Sequence, residues 1–118
     1  PNLTDEIIRL GIILKETAEF IGFCTSGIKE ELNGSNREVA FAISKHYRNQ
    51  GYTTKAVKAL IQYLFQHTNV KHLNAVVLPH NASSNKVIQK CGFYLNGHAQ
   101  IDGEQFNHYV LKKSNDHY

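Results

Sequence analysis

The chain of 118 residues has no methionine and no tryptophan, only two prolines and two cysteines, and no long apolar run. Each scarcity excludes something. Its longest uninterrupted apolar stretch, residues 39–43, is far shorter than the roughly 18 residues a membrane-spanning helix needs. No basic and apolar leader of the signal-peptide kind opens the sequence, so a soluble, cytoplasmic protein without membrane association is expected. Cys24 and Cys91 stand far apart among apolar neighbours, with no CxxC or other metal spacing; they read as buried free thiols, with a single disulfide as the alternative. The charge excess is small, 13 basic against 10 acidic side chains, and the cations are scattered. That balance lacks the basic stripe of a nucleic-acid binder and leaves an anionic ligand open.

What is present is a globular composition, 42% hydrophobic and 19% charged, in a length that suits one domain over residues 1–118. Such a chain buries roughly two-thirds of its unfolded surface, enough for a core without staples. Residues 7–14 are rich in branched apolar side chains and read as a strand. Residues 15–18 form a polar turn, and 19–24 the return strand of a hairpin. A loop with Gly27, Asn33, Gly34, Ser35 and Asn36 leads to a third strand at 38–44, whose nearly continuous apolar character predicts burial on both faces.

The period then changes. Val57, Leu60, Ile61, Leu64 and Phe65 recur with the spacing of an amphipathic helix over residues 54–67, with Thr53 or Thr54 as its N-cap. Residues 72–78 return to strand and Pro79 ends it. Residues 84–91 carry Val87, Ile88 and Cys91 at helical spacing with Gly92 as the stop. Residues 93–99 and 105–111 form a last hairpin around Asp102-Gly103. The order β, β, β, α, β, α, β, β contains one βαβ unit with parallel strands and a right-handed crossover, flanked by antiparallel hairpins. The expected fold is α+β, a mixed, mostly antiparallel sheet around a central βαβ unit.

The strand-to-helix turn at residues 44–54 carries the chemistry. Its glycine, Gly51, lets the backbone approach an anion, the N–H groups of a starting helix attract phosphate, and Lys45 and Arg48 add charge. A plain helix connection with a cap is the alternative. GxxxxGK[ST] and GxGxxG are both absent, which excludes the common nucleotide-binding loops.

Arg48-Asn49-Gln50-Gly51-Tyr52-Thr53 resembles the R/Q-x-x-G-x-G/A acetyl-CoA motif of the GNAT superfamily of N-acetyltransferases, with Thr in place of the final Gly or Ala. Downstream, residues 81–93 resemble the N-x-x-S-x-x-V-x-x-K-x-G-F segment of the branch that acetylates ribosomal-protein N-termini and related amines. Residues 38–43 are similar to that branch's E-I-G-Y-x-I strand. The resemblance spans residues 7–112 and implies an acetyl-CoA-dependent N-acetyltransferase without metal, transferring acetyl to a primary amine by direct attack. The amine of a protein N-terminus, a polyamine or an aminoglycoside would serve as acceptor.

It also implies roles. The backbone of Phe41, Ala42 and Ile43 would pair with the pantetheine amides. Arg48 belongs to the motif, and the N–H groups of Gln50, Gly51, Tyr52, Thr53 and Thr54 would hold the pyrophosphate. Asn81, Ser84 and Asn85 would line the thioester end and the pantetheine arm. Where many relatives have a proton-donating tyrosine this chain has Ile88, which cannot donate; Ser84 is the substitute, or else an N-cap. Glu38 is the family-positioned base, or else a surface ion-pair partner, with water as a rival proton acceptor. An exposed Glu titrates near ~4.3, so burial must raise its pKa for that work. His67, His72 and His80 lack metal spacing, and His46 and His108 either border the acceptor pocket or are solvated. Tyr47, Tyr52, Tyr63, Phe65, Phe93 and Phe106 read as core or cofactor-wall residues, and Cys91 as packing.

Relatives carry an initial strand and a helical pair ahead of the first hairpin, and those helices wall the acceptor site. This sequence reaches the hairpin by Ile7, so that segment is expected to be missing or supplied by another subunit. An uncovered edge strand favours a homodimer. A CoA-binding module with little or no transferase activity is the second reading.

Overall fold

A computed structural model describes residues 6–32 and 37–114. Asn33, Gly34, Ser35 and Asn36 of the expected loop lie outside the described residues. The elements are β1 (Ile8–Leu14), β2 (Glu19–Ile28), β3 (Arg37–Ile43), α1 (Tyr52–His67), β4 (His72–Val77), α2 (Ala82–Lys90), β5 (Tyr94–Ile101) and β6 (Glu104–Lys112), with a 3-10 turn at Lys45–Tyr47 before α1. The strands form one sheet in the order β1-β2-β3-β4-β6-β5. All neighbours are antiparallel except β3 and β4, which α1 joins in parallel. No described helix is long and apolar enough to cross a membrane.

Both helices pack on the same face of the sheet. Val57, Leu60, Ile61, Leu64 and Phe65 of α1 meet Cys24 and Val39 of β2 and β3, Leu73, Ala75 and Val77 of β4, and Ile88 of α2 in one core. Each fully buried aliphatic or aromatic side chain contributes about 1.5–3 kcal/mol over an exposed one, so the helical stripe is the main source of stability in this half. Cys24 and Cys91 are buried and free, as the sequence suggested.

Directly paired residues share a face. Cys24, Ser26, Val39 and Phe41 therefore point to the helices, while Phe23, Thr25, Glu38 and Ala40 point away. That second face is not covered by the described helices: Phe20 is 61% and Phe23 44% exposed. β3 is thus buried on one side only, contrary to the expectation of burial on both; Val39 is buried and Ala42 exposed. An apolar run fits this half-open position because its outward residues, Ala40 and Ala42, are small.

Three boundaries differ from the sequence reading. β2 runs on to Ile28 and takes Gly27 into the strand. α1 starts at Tyr52 behind Gly51, whose left-handed backbone (φ 83°) makes it the N-cap in place of Thr53 or Thr54. α2 starts at Ala82, and its cap is Asn81, whose side chain accepts a hydrogen bond from the Ser84 N–H at 3.2 Å; Ser84 is not the cap. The β5–β6 hairpin turns through Asp102 and Gly103, both with positive φ, as its sequence demands.

β2 and β3 approach closely beside a bulge in β2, where Ile12 and Ile13 of β1 pair with Gly22 and Phe20 and skip Ile21. A Cβ on Gly22 would lie 2.9 Å from the Ile43 Cα and would run into the Ala42 carbonyl oxygen. These are main-chain atoms in a paired strand and cannot step aside cheaply. Gly22→Ala is expected to destabilise the fold by about 1–3 kcal/mol, read as a lower midpoint in urea unfolding; an unchanged midpoint would contradict the close approach.

Candidate active site

β3 and β4 begin side by side and then part. Their one register pair is Glu38↔Asn74, although β3 continues to Ile43 and β4 to Val77. The backbone of Phe41, Ala42 and Ile43 is hydrogen-bonded to β2 on its far side. On the side facing β4 it meets a gap. Asn81 and Ser84, at the start of α2, border the space between the two strands.

A cavity of about 620 Å³ lies on the helix-covered side of this opening. Phe41, Ala42, Ile43, Arg48, Gly51, Thr53, Thr54, Asn81 and Ser84 line it, which brings together most of the residues singled out from the motifs. Gln50, Tyr52, Asn85 and Glu38 are not among its lining residues. Lys45 is also outside it, whereas Lys86 and Lys90 belong to it. Lys90 is the lysine of the downstream motif, but neither it nor Lys86 was given a role from the sequence, although their spacing puts both on one face of α2. Arg48, Lys86 and Lys90 give the cavity three cations, and among the described residues no Asp or Glu lines it.

The first turn of α1 forms one wall. Gly51 has no side chain with which to cap the N–H groups behind it, and no side-chain cap is made. Those donors and the positive end of the helix therefore face the cavity. The turn before them is stiffened by local contacts. Asn49 and Gly51 both have positive φ, the Gln50 side chain donates to the His46 carbonyl at 3.1 Å, and the Tyr47 hydroxyl donates to Glu19 at 2.6 Å. Uncapped donors, three cations and no carboxylate fit a polyanionic phosphate group.

A second cavity of about 230 Å³ continues through the gap. Val39, Phe41, Ala75 and Val77 line it from the helix-covered face, and Ala40, Val76 and Phe106 from the opposite face. Phe41, Asn81 and Ser84 border both cavities. The two cavities thus meet at Phe41, Asn81 and Ser84 and give a path between β3 and β4 whose second part is lined mainly by apolar residues.

Asn85 has a different job from the one its motif position suggested. Its Nδ2 donates to the carbonyls of Leu78 and Asn81, and its Oδ1 accepts from the Asn107 amide and the Tyr109 hydroxyl. Two donors and two acceptor sites are all engaged, so the side chain ties α2 to β6. Among the described residues no His, Cys, Asp and Glu cluster could hold a metal ion. Burial pushes the Cys24 thiol up and the Cys91 thiol to about 11, which keeps both protonated and poorly nucleophilic. The Cys91 Sγ lies 3.8 Å from the Thr54 carbonyl and joins α2 to α1.

Glu38 sits on the open face at the start of β3, half-buried and opposite Asn74. Burial raises its pKa above the ordinary 4.5; Lys29 opposes that shift and Glu31 adds to it. Because the folded pKa lies above the unfolded one, ionised Glu38 costs stability, and the cost disappears as the pH falls and the carboxyl takes up its proton. Glu38→Gln is therefore expected to melt at a higher temperature than the wild type at neutral pH, with the difference closing towards about pH 4. A difference that grows on acidification would reverse this account.

The Acetyltransferase (GNAT) domain family matches residues 2–94. "Uncharacterized N-acetyltransferase p20" of Bacillus licheniformis is 31% identical over 96 residues, which cover 81% of this chain and 53% of that protein. The chain therefore spans about half the length of this relative. Among solved structures, aminoglycoside acetyltransferase AAC(6')-Ib in complex with coenzyme A superposes with a TM-score of 0.78 at 20% identity, over 92% of this chain and 68% of that one. The ribosomal-protein-S5-alanine acetyltransferase of Vibrio fischeri gives a TM-score of 0.74 at 23% identity, over 87% of this chain and 60% of that one. These likenesses show the same fold, with the parallel pair and its crossover helix at the centre. With the family matched over most of its length, the chain belongs to the GNAT acetyltransferases.

Proposed function

We propose that the chain transfers the acetyl group of acetyl-CoA to a primary amine, either a protein N-terminus or a small molecule. The observation that carries this reading is the pair of cavities that share Phe41, Asn81 and Ser84, one at the cationic start of α1 and the other reaching between β3 and β4 to residues of the opposite face. A cosubstrate with phosphates at one end and a reactive thioester at the other matches such a path. The N–H groups of Gln50, Gly51, Tyr52, Thr53 and Thr54, with Arg48, would take the pyrophosphate. Thr53, which stands where glycine or alanine is usual, is buried and lines the cavity, and its backbone N–H would still be one of the donors. Phe41, Ala42 and Ile43 would offer peptide groups to the pantetheine amides on the side that β4 has left.

The amine would enter from the open face. Its nitrogen attacks the thioester carbonyl carbon, the C–S bond breaks, and the sulfur needs a proton. Ser84 borders both cavities and its backbone N–H is already held by Asn81, which leaves the hydroxyl for this donation. Glu38, with its raised pKa, is placed to receive a proton on the acceptor side. Asn81 at the passage would orient the arm of the cosubstrate.

The test is steady-state acetyl transfer from acetyl-CoA to spermidine, to kanamycin and to peptides beginning with Ser or Ala, followed by thiol release. Transfer to at least one amine is expected. Ser84→Ala should lower kcat on the order of 10²-fold with little change in the KM for acetyl-CoA. Saturable acetyl-CoA binding with no transfer to any amine would favour a CoA-binding module instead.

A further inference from the structure

A second titratable group lies near the mouth of the path on the open face, although neither it nor Glu38 lines the cavity itself. Ala40, Val76 and Phe106 form the mouth. Two residues back from Ala40 on β3 lies Glu38, and two back from Val76 on β4 lies Asn74. His108 of β6 pairs directly with Val76 and is two residues from Phe106. Strand alternation puts Glu38, Asn74 and His108 on the same face as the mouth, with Asn74 between the other two.

Asn74 fixes the chemical form of His108. The Asn74 Nδ2 donates to the Arg37 carbonyl at 3.0 Å, so its Oδ1 is the atom turned to His108. That oxygen only accepts, and the His108 Nε2 lies 2.8 Å from it. Nε2 must therefore carry the hydrogen, and in the neutral ring Nδ1 holds the lone pair.

An acceptor ammonium has three N–H bonds and the amide product keeps one, so two protons must leave the nitrogen. We propose that His108, oriented by Asn74, accepts one of these two protons at Nδ1 while Glu38 accepts the other. This rests on the acetyl-transfer reading. One proton leaves the ammonium to give the free amine. The amine then forms the C–N bond to the thioester carbonyl carbon, and as its nitrogen gains positive charge the second proton departs. The C–S bond breaks, the thiolate is protonated through Ser84 or water, and the imidazolium and carboxylic acid return their protons to solvent. Burial lowers the His108 pKa from 6.5 and raises that of Glu38 from 4.5, so both are available as bases near neutrality. The other titratable or charged groups on this face of the strands are Arg9 on β1, His72 on β4, Tyr94 on β5 and Glu104 and Lys112 on β6, with Lys29 and Glu31 acting on Glu38 from beyond β2.

Two readouts on the full chain test the proposal. Long-range 1H–15N spectra should show His108 as the Nε2–H form in the wild type and as a mixture of forms in Asn74→Ala. The acidic limb of log kcat against pH, measured with whichever amine is turned over, should have a slope of two. It should fall to one in His108→Gln, with kcat down on the order of 10²-fold and acetyl-CoA binding by calorimetry unchanged. An Nδ1–H imidazole, or a His108→Gln profile identical to the wild type while acetyl-CoA still binds, would overturn the proposal. A wild type that binds no acetyl-CoA would instead overturn the transferase reading on which it rests, with the Nε2–H signal left intact.

Discussion

The parting of β3 from β4 is the constraint on which the rest of the structure depends. Two parallel strands in the middle of a sheet normally satisfy each other's peptide groups along their length, because an unpaired buried peptide costs about as much as a lost hydrogen bond. Here they pair at Glu38 and Asn74 and then diverge. The divergence leaves one side of residues 41–43 to whatever enters the gap, and it opens the sheet from one face to the other. A ligand that runs through a sheet, with a strand-like portion in the middle, is the natural complement of that gap.

The two faces make the gap directional. On one face α1 and α2 converge above the opening and bring the helix start, Arg48, Lys86 and Lys90 into one cavity without a carboxylate. The other face carries Glu38 and His108 beside the mouth and is not covered by the described helices. On the proposed reading, anion recognition and proton removal would be separated by the thickness of the sheet, so that cations could hold phosphate on one side without depressing the pKa of the carboxyl on the other. Asn85 serves this arrangement from behind, since its four hydrogen bonds tie the start of α2 to Leu78 and to Asn107 and Tyr109 of β6, next to Ser84.

Much of this was legible in the sequence. The helical stripe of Val57 to Phe65 has a single reading, and the crossover it forces between two apolar strands determines the parallel pair. The glycine of the turn, Asn81 and Ser84, singled out by their motif spacing, line the cavity, whereas Gly92 does not. The gap itself was not legible, because residues 39–43 and 75–78 have the same apolar character whether their strands pair or part. Polarity in a motif also misled: Asn85 has the residue type of a ligand contact, and only its partners from β6 reveal that it is saturated. Thr53 and Thr54 are better capping types than Gly51, yet the left-handed turn decides the cap. His108 needed the order β4-β6-β5, since sequence alone does not say that the last strand, not the one before it, lies against β4.

The central claim is that the gap between β3 and β4 admits acetyl-CoA. Calorimetric titration of the chain with acetyl-CoA, using ATP as the control for generic phosphate binding, tests it most directly. The account predicts saturable binding of acetyl-CoA with no comparable signal for ATP, because the pantetheine portion must contribute through the gap. Equal binding of both, or no binding by a folded sample, would contradict it.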